Sequence, residues 1–230
     1  MAEFLQHIPL FPLILTIGAY QIGLWCQKKT HSALCNPLLI AVVLCIGVIL
    51  CTGFDPQVYQ SGTNYISWLL TPATVCLALP LYEHVKILRS NLQAVLIGIA
   101  AGTVSSILCI FVLCKLFELD DVLTVSMFGK SITTAIALEL TKQGGGIPSL
   151  TSAGIVISGI LGNLSGSAFC KLLKVTDPVA QGVGFGTASH AIGTARANEV
   201  HPVTGAASSL SLVVAGVLTA VLFPFVLILL

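Results

Sequence analysis

The sequence predicts an all-α, polytopic integral membrane protein with six full transmembrane helices plus two re-entrant or broken helical segments. Three observations carry this reading: scarcity of charge, regularly spaced apolar runs, and polar small-residue stretches set between them. Of 230 residues, 56% are hydrophobic and 8% charged, with a mean hydropathy of +0.99. Soluble domains carry roughly 25% charged residues, so this chain could not cover a globule in water. A membrane location and a bilayer partner follow. The formal net charge of +1, from ten Lys and Arg scattered among loops, excludes phosphate-seeking nucleic-acid binding.

A helical span needs about 20 apolar residues. In order, the candidates are Ile8–Trp25, Ala33–Gly53, Tyr65–Tyr82, Leu92–Cys114, Leu150–Cys170 and Gly205–Leu230. The start, MAEFLQHIPL, has an acidic residue and no basic n-region, so a cleavable signal is not expected. Tyr20, Trp25, Tyr65, Trp68 and Tyr82 fall near span ends, as an aromatic belt or as packing residues. The eight cysteines form no C-x-x-C. Most lie in or beside apolar runs, where cysteine acts as a small hydrophobe, and no metal site is expected.

Val122–Gln143 and Pro178–His201 are long enough to enter the membrane but unusually rich in polar and small residues. Loop charge decides between crossing and dipping. Lys28 and Lys29, Lys86 and Arg89, and Lys171 and Lys174 form basic loops, whereas Asp55 and Glu118, Asp120 and Asp121 form acidic ones. If both segments dip and return, every basic loop and Arg196 fall on the cytoplasmic side, with both termini outside. The alternative is eight spans with two discontinuous helices. Weak internal similarity, TVCLALPL (Thr74–Leu81) with TTAIALEL (Thr133–Leu140) and SITTAIAL (Ser131–Leu138) with TASHAIGT (Thr187–Thr194), makes an inverted repeat a candidate.

Three stretches offer chemistry. In LLTPATVCLALPLYEH (Leu69–His84), Pro72 and Pro80 disturb the helix beside Thr71 and Thr74. A kinked packing helix is the plain alternative. In GKSITTAIALEL, Lys130 precedes Ser131, Thr133 and Thr134 at what reads as a helix start, where unpaired N–H groups attract anions. The glycine–lysine pair lacks Walker A spacing. Gly144–Gly146 and Pro148 read as the turn into the next span. The third stretch, GFGTASHAIGTAR (Gly184–Arg196), places Thr187, His190 and Thr194 on one helical face at i, i+3 and i+7, while Gly182 and Gly186 form G-x-x-x-G. Ser189 and His190 are adjacent, diverge on a helix, and lack a G-x-S-x-G elbow, so no enzyme is expected. An ionisable residue inside a membrane is a functional candidate by default; a small-residue packing seam is the competing reading. Arg196 is either a carboxylate fork or a cytoplasmic anchor. Glu139 and Glu199, near segment ends, are proton or cation partners or simply solvated groups.

These residues also carry a family likeness. NPLLIAVVL (Asn36–Leu44), TPATVCLALPLYE (Thr71–Glu83), KSITTAIA (Lys130–Ala137), GGIPSLTSAGIVISGILG (Gly145–Gly162) and GTASHAIGTARANE (Gly186–Glu199) resemble the LrgB/CidB family of bacterial membrane proteins. That family also includes the plastidial glycolate/glycerate translocator of plants. The resemblance covers nearly the whole chain and implies one LrgB-like domain over 1–230, located multi-pass in the cell inner (cytoplasmic) membrane. It departs at Ala135, where the family typically has a helix-breaking proline, and in its many cysteines.

The resemblance implies two functions. One is secondary transport of small 2-hydroxy or 2-oxo monocarboxylates such as glycolate, glycerate, pyruvate or lactate. The other is holin- or antiholin-like modulation of murein hydrolase activity and autolysis with a small LrgA/CidA-type partner. The residue reading favours transport. The carboxylate would meet Lys130, Ser131, Thr133, Thr134, His190 and Arg196, and the substrate's second oxygen Thr71, Thr187 or Ser189, with Thr74 and Thr194 alongside. Coupling would run through His190, whose ordinary pKa is about 6.5, or through Glu139 and Glu199. No cofactor is expected, and a homo-oligomer, a dimer by analogy with elevator transporters, is.

Overall fold

The computed structural model describes residues 8, 10–30, 37–69, 72, 75–76, 78–83 and 85–230. All regular elements among these residues are helices, and the chain is a multi-pass integral membrane protein. It divides into two compact units, Met1–Cys76 and Leu77–Leu230.

In the first unit, α1 (Phe11–Thr30) and α2 (Pro37–Thr52) are followed by the short α3 (Pro56–Gly62) and α4 (Asn64–Trp68). Ala19 on α1 packs on Ala41 and Cys45 of α2, with Leu15, Leu44 and Tyr59 around them. Gly23 lies against the Pro37 backbone, 2.6 Å from where a Cβ would stand, so the two helices touch through main chain there. Asp55 caps α3 by accepting from the Gln57 N–H. The proposed third span, Tyr65–Tyr82, falls partly outside the described residues, Thr71 and Thr74 included.

The second unit begins with α5 (Ala78–Glu83) and α6 (Val85–Ser90). Among the described residues, three helices, all in this unit, are long and apolar enough to cross a bilayer: α7 (Leu92–Leu116), α10 (Pro148–Leu172) and α12 (Pro202–Ile228). At 1.5 Å per residue, 25 residues reach about 37 Å, beyond the roughly 30 Å hydrocarbon core. Their outward faces carry large apolar side chains such as Ile97, Leu108, Ile157, Leu161, Val217 and Val221, as lipid contact requires.

Between these helices lie the two segments that hydropathy left ambiguous and loop charge assigned to dips. The first is α8 (Asp121–Phe128), a 3₁₀ turn at Gly129–Ser131, and α9 (Thr134–Gln143). Ile132 and Thr133 are extended (ψ 177° and 136°), so the helix stops even though Ala135 is not a proline. The chain then doubles back. Gly129 lies against Ala137, Val125 against Gly144, and the Ser126 hydroxyl accepts from the Ile147 N–H at 2.7 Å. This is a helical hairpin whose two ends lie together.

The second segment, α11 (Pro178–Val200), is interrupted at Ser189 (φ −135°, ψ 16°) and His190 (φ 42°, ψ −139°). Gly182 packs on Thr204 and Ala207, and Gly186 on Ser208 and Ser211, so residues 178–188 run parallel to α12. Thr194 meets Ser208, and Asn198 meets Gly205, so residues 191–200 run back antiparallel. In a straight helix Gly186 and Thr194 would stand about 12 Å apart, yet both reach Ser208. The segment is a second hairpin, with its tip at Ser189–His190. The G-x-x-x-G pair does bring backbones together as expected. The single face shared by Thr187, His190 and Thr194 does not exist, because the reversal falls between the first residue and the other two.

The hairpins approach from opposite ends of α10. Thr151, near its start, bonds the Ser126 carbonyl (2.8 Å) and the Thr141 hydroxyl (2.8 Å) of the first hairpin. Gly166, toward its other end, receives Phe185 of the second. Apolar clusters hold each end. Ile107, Ile110, Cys114, Val125, Phe128, Phe223 and Val226 enclose the first hairpin, and Val95, Ile99 and Ala215 pack with Val179 and Val183 at the second.

Candidate functional site

The two tips meet in the interior of the second unit. Glycines on α10 make room for the second tip. An added Cβ at Gly159 would lie 2.8 Å from His190 Nε2, and one at Gly162 would collide with the Ser189 side chain. Gly159, Gly162 and Gly166, at i, i+3 and i+7, therefore form a groove into which His190, Ser189 and Phe185 fit. His190 is 3% exposed, and its Nε2 lies 2.9 Å from the Ile155 carbonyl. A carbonyl only accepts, so Nε2 carries the hydrogen and, in the neutral ring, Nδ1 is the acceptor. The strained His190 backbone is tied in place by the same contacts. Its carbonyl accepts from Thr194 Oγ1 (2.9 Å), which also lies 2.8 Å from Ser208 Oγ, and Asn163 Nδ2 donates to the Ile192 carbonyl (3.1 Å).

At the first tip, Lys130 is half-buried in the 3₁₀ turn rather than at the helix start that the sequence implied; α9 begins four residues later. Its Nζ donates to Ser131 Oγ at 2.9 Å, and Ser131 Oγ is 3.1 Å from Ser106 Oγ on α7. No carboxylate stands within ion-pair distance of Lys130 among the described residues, where Arg196–Glu199 is the ion pair found. Thr133 Oγ1 is buried without a hydrogen-bond partner, and Thr134 opens α9. Thr187 lines the same interior and donates to the Val183 carbonyl at 2.7 Å.

Other predicted residues lie apart from the tips. Arg196, on the returning arm of the second hairpin, bonds Glu199 at 2.7 Å, with both side chains open to solvent. Glu139 is exposed and accepts from Gln143 Nε2 (3.2 Å). Thr71 and Thr74 lie outside the described residues. Among the described residues no group of His, Cys, Asp and Glu could hold a metal ion.

Sequence reasoning missed three hydroxyls that face the tips. Thr103 and Ser106 on α7 and Thr219 on α12 border a small cavity with Ser131 and Thr187. Each sits in a strongly apolar run, where the hydropathy that reveals a span conceals the polar residue in it. The α10 groove was legible in principle from the spacing of Gly159, Gly162 and Gly166.

Against known proteins, the LrgB-like family profile matches residues 16–229. The chain is 34% identical over 217 residues to the antiholin-like protein LrgB of Bacillus subtilis (strain 168), covering 94% of each. It is 35% identical, with the same coverage, to the proteins of that name from Bacillus cereus (strain B4264) and Bacillus anthracis (strain CDC 684 / NRRL 3495). No solved structure matches.

Proposed function

The chain belongs to the LrgB-like family, and from that premise we propose that it is an antiholin-like membrane protein, the second of the two functions set out from the sequence. The shared name of relatives covering 94% of the chain supports this reading over the first. In it, the protein restrains murein hydrolase activity and autolysis, together with a small LrgA/CidA-type membrane partner. Deleting the gene in its host is expected to speed detergent-induced lysis, and restoring the gene to slow it again. Unchanged lysis would count against the reading.

A second reading, transport of small 2-hydroxy or 2-oxo monocarboxylates, rests on one observation: two opposed hairpins whose polar tips meet between long apolar helices. Irregular backbone at membrane depth is tolerated where it lines a cavity, and transporters place substrates between such broken helices. A lysis modulator that only assembles has no use for Lys130, His190 and unpartnered hydroxyls there. Lys130, Ser131, Thr133 and Thr134 at one tip and Ser189, His190, Thr187 and Thr194 at the other are its candidate contacts, with His190 the proton carrier. Arg196, Glu199 and Glu139 take part only if the hairpins move.

The topology that goes with both readings is six spans and two hairpins in one domain, arranged as an inverted repeat and assembled as a homodimer. Proteoliposomes loaded with labelled glycolate or pyruvate test transport: saturable exchange in the parent, lost in His190→Ala, is expected. No exchange with any small monocarboxylate would end this second reading and leave the first intact.

A further inference from the structure

Near the midpoints of α7 and α12, beside both hairpin tips, lies a cavity of ≈ 10 Å³, room for about one water molecule. Its polar lining is hydroxyl only: Thr103, Ser106, Ser131, Thr187 and Thr219. The hydrogens of these groups are not evenly spent. Thr187 gives its hydrogen to the Val183 carbonyl and presents only lone pairs. Lys130 Nζ can only donate, so Ser131 Oγ accepts from it. Ser131 and Ser106, 3.1 Å apart, then share one hydrogen between them. Whichever donates, the other retains a hydroxyl hydrogen for the cavity. Thr103, 3% exposed, has no hydrogen-bond partner for its Oγ1 among the described residues. A buried hydroxyl left unmatched is unfavourable unless something meets it.

The charge around the space has one sign. Among the described residues no carboxylate lines it, and the ammonium of Lys130 stands one serine away, unpaired with any acid there. A cation would face that ammonium and the hydrogens it orients. An anion gains from both, and the full charge of the ammonium in a low-dielectric interior outweighs the opposing hydroxyl dipole of Thr187.

We propose that this cavity is a binding site for a single compact monoanion, halide-sized, held by the Ser106/Ser131 pair and Thr103 and compensated by Lys130. One oxygen of a small carboxylate offers the same chemistry, so the test separates the two sources. The site shares Lys130, Ser131 and Thr187 with the candidate contacts of the transport reading, yet it does not rest on that reading, because it binds its anion at equilibrium whether or not the protein moves a solute or modulates lysis.

The experiment uses the full chain purified in detergent, in buffer whose only anions are bulky organic ones, with binding followed by titration calorimetry and ³⁵Cl line broadening. Chloride is expected to bind saturably and bromide, the larger ion for so small a space, more weakly, with sulfate inert and sodium and potassium salts equivalent. Formate binding in place of halide would keep the monoanion site and assign it to a carboxylate. Ser106→Ala and Lys130→Met are expected to weaken binding at least tenfold and the isosteric Thr103→Val several-fold, while Lys142→Met, an exposed lysine on α9, leaves it unchanged. The proposal is overturned if the parent binds no monoanion saturably, or if these variants bind as the parent does. The line-broadening measurement on the parent decides the first point even where a variant fails to fold.

Discussion

His190 combines a left-handed φ of 42° with a bulky side chain buried to 3% exposure. Such a backbone ordinarily belongs to glycine, and holding it costs about 1–3 kcal/mol. The surroundings hold it through the Ile155 carbonyl on Nε2 and through Thr194 and Ser208 on its own carbonyl. Backbone and side chain therefore respond differently to substitution. His190→Ala loses the imidazole bond and keeps the strain, whereas His190→Gly loses the bond and relieves the strain. Thermal unfolding in detergent should rank His190→Gly above His190→Ala by about 1 kcal/mol; equal stabilities would show that the φ is not strained. The residues of this tip were legible as a polar anomaly in an apolar chain. Their placement on one face was not, because i, i+3, i+7 spacing presumes an unbroken helix, and local sequence with a histidine at the turn does not announce a positive φ.

At the scale of elements, both hairpins depend on where backbones can close. Gly162→Ala would drive a methyl into Ser189, while Gly184 has open space around its Cα. Gly162→Ala is expected to cost about 1–3 kcal/mol by overpacking. Gly184→Ala should be neutral or stabilise by up to about 1 kcal/mol through helix propensity; equal effects at both sites would contradict the groove. The first hairpin gives a parallel test. Ala135 lies in the first turn of α9, where its N–H has no helical acceptor, but the Ala137 N–H bonds the Thr133 carbonyl at 3.0 Å. Ala135→Pro should fold with a melting point close to the parent, and Ala137→Pro should lose about 3 kcal/mol or fail to fold. The proline absent at Ala135 pointed away from a break, yet the break is present. Its cause is tertiary: Ala137 against Gly129, and the Thr151 hydroxyl bonded to the Ser126 carbonyl and the Thr141 hydroxyl, fix the turn. Sequence pattern marked both segments as irregular, but reversal of direction is written in contacts between residues from eight to 25 apart.

At the scale of the molecule, apolar run length placed α7, α10 and α12 within a few residues of their observed ends, because a bilayer imposes length and hydropathy together. The cavity residues Thr103, Ser106 and Thr219 were hidden by that same average. The central claim is that two helical hairpins enter from opposite sides and meet in the interior of the second unit. Charge placement puts the Asp120–Asp121 loop outside and the Lys171–Lys174 loop inside. The direct measurement is sidedness labelling with a membrane-impermeant maleimide in a cysteine-free background, one cysteine at a time, at Asp121, Gln143, Thr176 and Glu199. The hairpin account predicts that Asp121 and Gln143 label only from outside and Thr176 and Glu199 only from inside. Labelling of Asp121 and Gln143 from opposite faces, or of Thr176 and Glu199 from opposite faces, would mean that the segment crosses the membrane, and would contradict it.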